Sequence, residues 1–381
     1  MEPLNCTIEM GADGGVDIYA GSQFQTVEQG TAAAILGTTP DKVRIHSTWA
    51  GGSFGRRATP NADYIAEAAS ILKASGGKRP IHLVWTREDD IKGGRYRPMF
   101  YHAIEAALDS DGGIAAWKHR IVGQSFARGT PFEAVMFKNG VDVMAVEGVA
   151  DLPYAVPNRY VEWHDAPSPV TTLWWRSVGH THTAHAVEVM IDELAHAAGQ
   201  DPVAFRIPLL KDHPRHVAVL KLAAEKGGFG EKLPPGKGRG IAVHESFHTF
   251  VAMVADVTVD GGTVKVDRIV AAVDCGIAVN PDMIVAQIEG GAGYGLGAAL
   301  RNQITLDKGV VEQANFDTYE PLRISDMPKV EVHIVPSTEL PTGVGEPGVP
   351  PVAPAVSNAI FAATGKRLRS LPFDFDSLKG A

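Results

Sequence analysis

The sequence predicts an α+β fold in which mixed sheets pack against helices. Two hairpins are predicted where alternating apolar segments flank turns rich in Asp and Gly, at residues 100–108 and 114–122 and at residues 250–259 and 264–273. Helical periodicity occupies other stretches between and after these strands. Strands and helices do not alternate with the regularity of a doubly wound sheet, so α+β is the class that fits.

Six helices are predicted from apolar spacing and from the residues that begin or end helices. Gly199 and Gly365 follow two of them and favour termination there. A passage rich in Gly, Pro and Lys at residues 227–240 is predicted to be a linker between a first region, 1–226, and a second region, 241–381. The predicted helices cover residues 27–36, 61–74, 181–198, 201–210, 281–299 and 353–363.

Charge and composition exclude several classes of function. The 381 residues include 35 basic and 44 acidic side chains, a net charge of −9, which offers no electrostatic basis for binding nucleic acid. No run of 18 apolar residues is present, so no membrane span is predicted, and the N-terminus does not resemble a signal peptide. Cys6 and Cys275 are too few for an iron–sulfur cluster, which takes four thiolates.

Residues His244 to His248 match HExxH, the pattern of zinc peptidases. Zinc binding requires both imidazoles on one helical face, about 6 Å apart along the axis. The β-branched flanks favour a strand instead, on which the two residues would be about 13 Å apart. We therefore interpret the segment as a strand start with polar side chains and disfavour zinc.

Residues 51–55 match GxSxG, the pattern of a serine nucleophile elbow, with Ser53 as the nucleophile. An elbow enters its helix directly, whereas residues up to Pro60 intervene here before the predicted helix. A serine hydrolase stays open as an alternative that labelling of Ser53 by a fluorophosphonate would test. A Gly-rich loop followed by Arg56 and Arg57 also suits an anionic ligand.

Two further patterns favour structural roles. The GxGxxA string at residues 293–298 lies in or after a predicted helix, not after a strand, so close packing is expected there and dinucleotide binding is not. His180, His182, His185 and His196 crowd one segment, but the first three do not share a helical face. We expect these histidines to be solvated or to flank the helix.

The most informative segment is 343–354, in which Glu346 is flanked by glycines and a proline before an apolar helix. A carboxylate in this setting suits a general base. The alternative is that the acidic side chain only favours the helix dipole.

Several stretches in collinear order span nearly the whole chain and together resemble one family. They are Met1-Glu-Pro-Leu-Asn-Cys-Thr, Gly51-Gly-Ser-Phe-Gly-Arg-Arg, Trp175-Arg-Ser-Val-Gly-His leading into residues 188–206, Ala272-Val-Asp-Cys-Gly-Ile-Ala-Val-Asn-Pro running on to residue 290, and 343–354. This combination resembles the molybdenum hydroxylases of the xanthine oxidase family. The similarity is to large, molybdopterin-binding subunits of the isoquinoline 1-oxidoreductase (beta) and aldehyde dehydrogenase type, in their C-terminal half.

The resemblance implies a molybdenum cofactor whose metal is held by the pterin dithiolene and by no side chain directly. It implies Glu346 as the catalytic base in the oxidation of an aldehyde or N-heteroaromatic carbon with oxygen from water. Ala58 stands where purine-oxidising members carry glutamate, which disfavours purines. The residues implied to contact the cofactor are Gln23, Gly52, Ser53, Phe54, Gly55, Arg176, Ser177, Gln287 and Gly345, with Gln23 next to an apical ligand of the metal.

The resemblance also implies partners. The family's Gly-Gln-Gly loop and its Ser/Thr-rich pterin-binding segment have no counterpart here, so the chain is expected to be the C-terminal half of a large subunit or one chain of a split subunit. The two cysteines imply a small [2Fe–2S] partner that receives the electrons, with a cytochrome c as a candidate acceptor beyond it. The expected cofactor is the molybdopterin cytosine dinucleotide form. Both cytoplasm and periplasm stay open as compartments, and a non-catalytic, cofactor-free relative is a third hypothesis.

Overall fold

The computed structural model describes residues 2–379. Met1, which begins the Met-Glu-Pro motif, and residues 380–381, which end the second predicted region, lie outside the described residues. The helices are α1 (Gln25–Leu36), α2 (Asp63–Ala74), α3 (Arg87–Lys92), α4 (Glu133–Met136), α5 (His180–Ala197), α6 (Pro202–Leu209), α7 (Pro214–Gly227), α8 (Pro281–Leu300) and α9 (Val352–Thr364). The strands are β1 (Asn5–Met10), β2 (Val16–Ala20), β3 (Val43–Ser47), β4 (Ile81–Val84), β5 (Phe100–Leu108), β6 (Ile114–Gly123), β7 (Phe137–Lys138), β8 (Val141–Asp142), β9 (Asn158–Asp165), β10 (Lys237–Ser246), β11 (Thr249–Asp260), β12 (Thr263–Asp274), β13 (Leu306–Asp307), β14 (Val310–Val311) and β15 (Lys329–Ile334).

Three sheets of three or four strands form the framework of the described chain. Their strand orders are β3-β2-β1-β4, β5-β6-β9 and β10-β11-β12-β15. Hairpins supply antiparallel pairs in each sheet, and one edge strand of each is parallel to its neighbour. Because a parallel pair needs a long connection, helices and loops are inserted between these strands. The mixed sheets and packed helices confirm the predicted α+β class.

The sheet β10-β11-β12-β15 is covered on both faces. Along β11, Val251 and Met253 belong to the apolar cluster that includes α8 and α9, whereas Ala252 and Val254 belong to the cluster that includes α5 and α7. Successive side chains of a strand point to opposite faces. The nearly continuous burial of β11 is therefore what a doubly covered sheet requires.

The first sheet packs against α1 and α2 around a separate apolar cluster. Ile8 and Ile18 from the strands and Tyr64, Ile65 and Leu72 from α2 are fully buried in it. The chain leaves this sheet at β3 and returns to it in α2. The connection between them carries the Gly-rich loop at residues 51–55.

Both predicted hairpins are confirmed, as β5–β6 and β11–β12. All six predicted helices are present, with ends shifted by one or two residues: α1, α2, α5, α6, α8 and α9. Helix α7 was not predicted, although Pro214 at its first position and the left-handed Gly228 after it are ordinary helix boundaries.

The end of the predicted linker is wrong, because residues 237–240 belong to β10. A Cβ atom on Gly238 would lie 2.0 Å from the carbonyl oxygen of Ala359 in α9, and one on Gly240 would lie 2.2 Å from the Ala359 nitrogen. These glycines serve close strand–helix packing rather than flexibility. The division of the chain into two regions at this point stays a prediction.

Helix α8 packs tightly against the segment that follows Glu346. A Cβ atom on Gly291 would lie 2.9 Å from the carbonyl carbon of Gly348, and one on Gly295 would lie 3.0 Å from the Val352 side chain. The expectation that small residues here allow close packing is therefore confirmed. Of the helices in residues 2–379, none is long and apolar enough to cross a bilayer.

Candidate functional site

A cleft of about 700 Å³ collects residues from distant parts of the chain. Eight of the ten predicted site residues line it, while Gly52 and Ser177 lie directly beside lining residues. Sequence reasoning missed most of the apolar wall. The lining residues are Gln23, Phe24, Ser53, Phe54, Gly55, Ala58, Phe132, Met136, Met144, Trp174, Arg176, Val178, Gln287, Gly345 and Glu346.

The Gly-rich loop enters the cleft through unusual backbone conformations. Gly52 and Gly55 both have φ of +103°, and Phe54 between them has φ of +56°. Glycine is favoured at such angles because it lacks a Cβ atom, and a Cβ on Gly55 would also lie 2.9 Å from the Trp174 carbonyl oxygen. The Gly55 N–H donates to Oε1 of Gln23 at 3.2 Å, which joins the loop to the start of α1.

An aromatic stack supports the loop from behind. The Phe54 ring stacks on Tyr294 of α8 with centroids 4.3 Å apart, and Tyr294 stacks on Trp175 at 4.4 Å. The guanidinium of Arg97 lies 4.5 Å from the Trp175 ring. Offset stacking and cation–π contacts each add about 0.5–1.5 kcal/mol beyond burial. The stack therefore fixes the orientation of Phe54 in the cleft.

The wall opposite is apolar. Phe132 stacks on Phe24 at 5.7 Å and contacts Trp174 edge-on at 5.8 Å. Phe132 lies directly before the short helix α4 and Met136 is its last residue, in a connection that carries no periodic pattern. No sequence signal marked them in advance.

Arg176 joins three segments of the site. Its backbone N–H donates to Phe54 O at 3.1 Å, its Nε to Gly345 O at 2.7 Å, and its terminal nitrogen to Oε1 of Gln287 at 3.0 Å. Burial lowers the pKa of Arg176, but a guanidinium remains a cation at neutral pH. One side chain thus holds the Gly-rich loop, α8 and the Gly-Glu-Pro segment in register.

Glu346 carries the only carboxylate among the described residues that line the cleft. The Ser177 backbone N–H donates to its Oε1 at 3.0 Å, and the Ser177 hydroxyl donates to its main-chain carbonyl at 2.7 Å. The side chain is half-buried. An oriented carboxylate in a mostly apolar cleft can accept a proton from a bound reactant.

The structure also decides between interpretations of two motifs. Residues 244–246 belong to a strand, as the flanks predicted, but they end β10 instead of starting a strand, and residues 247–248 form the turn to β11. No group of three or more His, Cys, Asp or Glu side chains within residues 2–379 is placed to hold a metal ion. Helix α2 begins only at Asp63, far beyond Ser53, so the loop is not a nucleophile elbow. Histidine is absent from the described residues that line this cleft.

The histidines were expected to be solvated or to flank the helix; His180 does lie at the start of α5, but the expectation is wrong for His185, which is buried within the helix. His180 and His185 are each only 6% exposed, and His182 donates or accepts a hydrogen bond with His102 at 2.9 Å. His196 is solvated as expected, with its side chain 43% exposed. The amphipathic pattern did not reveal this because α5 is covered on several sides by other elements.

Comparison with known families decides the assignment. A family model described as "Molybdopterin cofactor-binding domain" matches residues 1–208, and a second model of the same description matches residues 179–328. The chain belongs to the molybdopterin-binding subunits of the xanthine oxidase family. The resemblance found in the sequence is thereby confirmed.

Relatives with curated descriptions are identical to this chain at about a third of the aligned positions. It is 34% identical to the beta subunit of isoquinoline 1-oxidoreductase from Brevundimonas diminuta, covering 98% of this chain and 48% of that protein. It is 35% identical to "Membrane-bound aldehyde dehydrogenase [pyrroloquinoline-quinone]" of Gluconacetobacter polyoxogenes, covering 98% and 51%. It is 30% identical to a subunit of nicotinate dehydrogenase from Pseudomonas putida, covering 99% and 33%. The chain thus spans about half the length of the first two relatives and a third of the last.

Solved structures show the same fold at low sequence identity. Quinoline 2-oxidoreductase from Pseudomonas putida 86 matches with a TM-score of 0.82 and 13% identity, over 96% of this chain and 72% of that chain. Aldehyde oxidoreductase from Desulfovibrio gigas matches with a TM-score of 0.76 and 17% identity, over 97% and 58%.

Proposed function

We propose that this chain is the catalytic-base half of a molybdenum hydroxylase. In this proposal the enzyme oxidises an aldehyde or an N-heteroaromatic carbon with oxygen from water, and Glu346 is the general base. The observation that carries the proposal is the position of Glu346, which is hydrogen-bonded to the Ser177 N–H in the cleft that the predicted site residues share.

The cleft has the properties that a bulky, polar cofactor needs. Cβ atoms added to Gly343 and Gly345 would meet no atom within 4 Å, so these glycines leave open space beside Glu346. Gln23 uses its Oε1 to accept from Gly55, which leaves its amide NH2 group as a donor for a ligand. Together with the backbone of the loop, these groups fit the molybdenum cofactor that the family model describes.

The cofactor, when bound, supplies the two-electron redox centre and activates water, and no side chain of this site is needed as a metal ligand. The loop of Gly52, Ser53, Phe54 and Gly55, together with Gln23, would lie beside the metal. Arg176, Ser177, Gln287 and Gly345 would hold the pterin side and keep Glu346 in place. We propose the cytosine dinucleotide form of the cofactor.

The chemistry of this chain is then the handling of a proton. Glu346 accepts a proton from the water-derived oxygen as that oxygen attacks the substrate carbon. The Ser177 N–H donates to Oε1 and orients the carboxylate, which leaves the second oxygen to act as the base. The apolar wall around Phe132 excludes water and so favours productive contact between base and reactant.

Names of relatives support the substrate class. Isoquinoline and nicotinate are N-heteroaromatic compounds, and the relative from Gluconacetobacter polyoxogenes is described as an aldehyde dehydrogenase. Ala58 lines the cleft where purine-oxidising members of the family carry glutamate, so we do not propose a purine substrate.

Partner chains complete the proposal. Two electrons must leave the site in each turnover, and Cys6 and Cys275 are both buried. We propose that a separate small subunit carries [2Fe–2S] clusters, that a cytochrome c is a candidate acceptor beyond it, and that the N-terminal half of the large subunit or a separate chain supplies the rest of the cofactor site.

The test uses the complex purified from its host, assayed with isoquinoline, nicotinate and a simple aldehyde. Glu346→Gln should lower turnover by about 10²–10⁴-fold, because it removes the base and keeps the shape. Molybdenum and pterin content should stay at the wild-type level. Glu339→Gln is the matched control, since Glu339 is an exposed carboxylate in the same connection between β15 and α9 and should leave turnover unchanged.

A Glu346→Gln complex that turns over at the wild-type rate would refute the mechanism. A native complex without molybdenum and pterin would favour the cofactor-free relative instead. Modification of Ser53 by a fluorophosphonate, with loss of activity, would favour the hydrolase.

A further inference from the structure

Two carboxylates are tied to the loop that leads into α5. The Ser177 N–H donates to Oε1 of Glu346 at 3.0 Å, and the Gly179 N–H donates to Oε1 of Glu147 at 2.6 Å. Between them, Ser177 and Val178 have φ of +78° and +47°. Residues other than glycine rarely adopt positive φ, so the surrounding structure must hold the loop in this conformation. The result is that both carboxylates are anchored to backbone groups only two residues apart.

Beyond Glu147 the contacts continue through two buried imidazoles. Oε2 of Glu147 lies 3.7 Å from Nε2 of His180, and Nδ1 of His180 lies 2.8 Å from Nε2 of His244. Gly148 permits this approach, because a Cβ atom there would lie 2.8 Å from the His244 ring and 3.1 Å from Nδ1 of His180. This series of contacts therefore joins the start of α5 to the end of β10.

His244 opens onto a second cavity of about 300 Å³. The cavity lies under the turn of Phe247 and His248, where both residues have positive φ, +53° and +62°. Two-residue hairpin turns with positive φ favour Asn and Gly, so Phe and His at these positions indicate that their side chains are needed there. The Phe247 ring meets His180 edge-on at 5.6 Å and helps to fix the imidazole.

The groups along this chain can carry a proton without a permanent buried charge. Burial, with the charges of Asp151 and Glu346, raises the pKa of Glu147 to about 8, against the hydrogen bonds of Gly179 and His180. Burial lowers the pKa of His180 to about 4 and holds the pKa of His244 well below its usual value. Near neutral pH, Glu147 is therefore largely protonated and both imidazoles are neutral. Charged and titratable groups face each member of this series: Asp151 and Glu346 at Glu147, Asp151 and His182 at His180, and His216 at His244. The titratable residues that line the cavity also include Tyr154, Glu188, His213, Glu245 and His248.

We propose that Glu147, His180 and His244 form a proton path between Glu346 and the cavity that His244 lines. This inference rests on the proposed function, in which each oxidation converts R–H and water into R–OH, two protons and two electrons. The electrons leave through the [2Fe–2S] acceptor. Glu346 takes up one of the protons and must lose it before the next turnover.

Each transfer conserves the proton count. Glu147, which is protonated at rest, gives its proton to Nε2 of His180 and then takes the proton of Glu346, while His180 passes its Nδ1 proton to Nε2 of His244. His244 then releases its other ring proton into the cavity, and both imidazoles must return to their starting tautomers by ring rotation before the next transfer. The 3.7 Å separation between Glu147 and His180 exceeds hydrogen-bond length, so the Glu147 carboxyl must rotate toward the ring at this step. Glu147, His180 and His244 are proton carriers here and do not contact substrate.

The test compares Glu147→Gln with Glu28→Gln in the purified complex. Glutamine at 147 keeps the shape and the acceptor for the Gly179 N–H but cannot carry the proton. Glu28 is a matched control, because it is also buried and its pKa is also raised by burial, yet it belongs to the first sheet's apolar layer. The first readout needs no turnover: a protonated carboxyl C=O band in the infrared spectrum should titrate near pH 8 in wild type and Glu28→Gln and be absent from Glu147→Gln.

The second readout separates the first turnover from later ones. Anaerobic reduction of the [2Fe–2S] centres by one equivalent of substrate should be as fast in Glu147→Gln as in wild type. Steady-state kcat should fall by at least about tenfold with KM unchanged and with a larger solvent deuterium effect. His244→Ala should show the same loss, and added imidazole should restore its kcat but not that of Glu147→Gln.

Normal steady-state turnover in Glu147→Gln would refute the path, and so would failure of imidazole to restore a folded His244→Ala complex. If His244→Ala does not fold, the shape-preserving Glu147→Gln variant decides alone. The two proposals fail differently. An active Glu346→Gln complex removes the proposed function, whereas an inactive Glu346→Gln complex beside a fully active Glu147→Gln complex removes only the path.

Discussion

Glu188 of α5 and Arg206 of α6 form an ion pair whose disruption should strongly destabilise the chain. The two residues are 1% and 0% exposed. Nε and a terminal nitrogen of Arg206 each lie 3.1 Å from Oε2 of Glu188. Tyr154 donates its hydroxyl to Oε1 at 2.5 Å, and the Val243 N–H donates to Oε2 at 2.9 Å. The carboxylate therefore joins α5, α6, β10 and the loop before β9.

Glu188→Gln should cost about 3–5 kcal/mol in the free energy of unfolding, the usual result when one partner of a buried pair is lost. The side-chain NH2 group of the new glutamine would face hydrogen-bond donors of Arg206, Tyr154 or Val243. The Arg206 cation would also lose the carboxylate that it contacts. Glu193→Gln is the matched control on the same helix. Glu193 pairs with Arg369, whose side chain is 64% exposed, so its loss should cost at most about 1 kcal/mol.

Urea unfolding followed by circular dichroism measures both variants. The double variant Glu188→Gln with Arg206→Met should be less destabilised than the sum of its single variants, by about 0.5–3 kcal/mol, because the unpaired cation is gone. If Glu188→Gln costs no more than Glu193→Gln, the argument from a buried countercharge is wrong.

Two further outcomes follow from burial and from close backbone contact. Burial lowers the pKa of His216 to about 3, whereas unfolded histidine titrates near about 6.5; the unfolded state binds the proton first, so stability should fall as pH drops from about 6.5 toward 3. His216→Leu should flatten the plot of urea midpoint against pH, and an unchanged slope would contradict this. A Cβ on Gly179 would lie 1.9 Å from Met144 O, so Gly179→Ala should lower the melting temperature. Gly345→Ala, with no atom within 4 Å of its Cβ, should keep the melting temperature and lower the molybdenum content; equal effects of the two substitutions would count against this interpretation.

The parts of the fold that sequence predicts are those with a local cause. The hairpins β5–β6 and β11–β12 follow from turn residues and alternation within a few positions. The end of the linker was assigned wrongly because Gly238 and Gly240 look flexible in sequence. Their purpose depends on α9, which lies more than a hundred positions further along the chain.

Some residues of the candidate site could likewise be identified from sequence, whereas others could not. The resemblance to a known family predicts Phe54, Arg176 and Glu346 as members of one site, and all three line the same cleft. Phe132 belongs to an irregular connection, and only the tertiary fold brings it to the opposite wall. The HExxH pattern pairs His244 with His248, but in the structure Nε2 of His244 lies 2.8 Å from Nδ1 of His180, which is 64 positions away in the sequence.

The loop at Ser177 and Val178 has a consequence for the balance of stability in this chain. Residues held at positive φ cost about 1–3 kcal/mol each, so the backbone is in an unfavourable conformation where Glu346 is oriented. That orientation exists before any ligand arrives, and substrate binding need not supply the energy to create it. The same helix, α5, that begins after the loop is locked further along by Glu188 and Arg206. Rigidity deep in the core is thus what allows an unfavourable backbone to persist at the reacting centre.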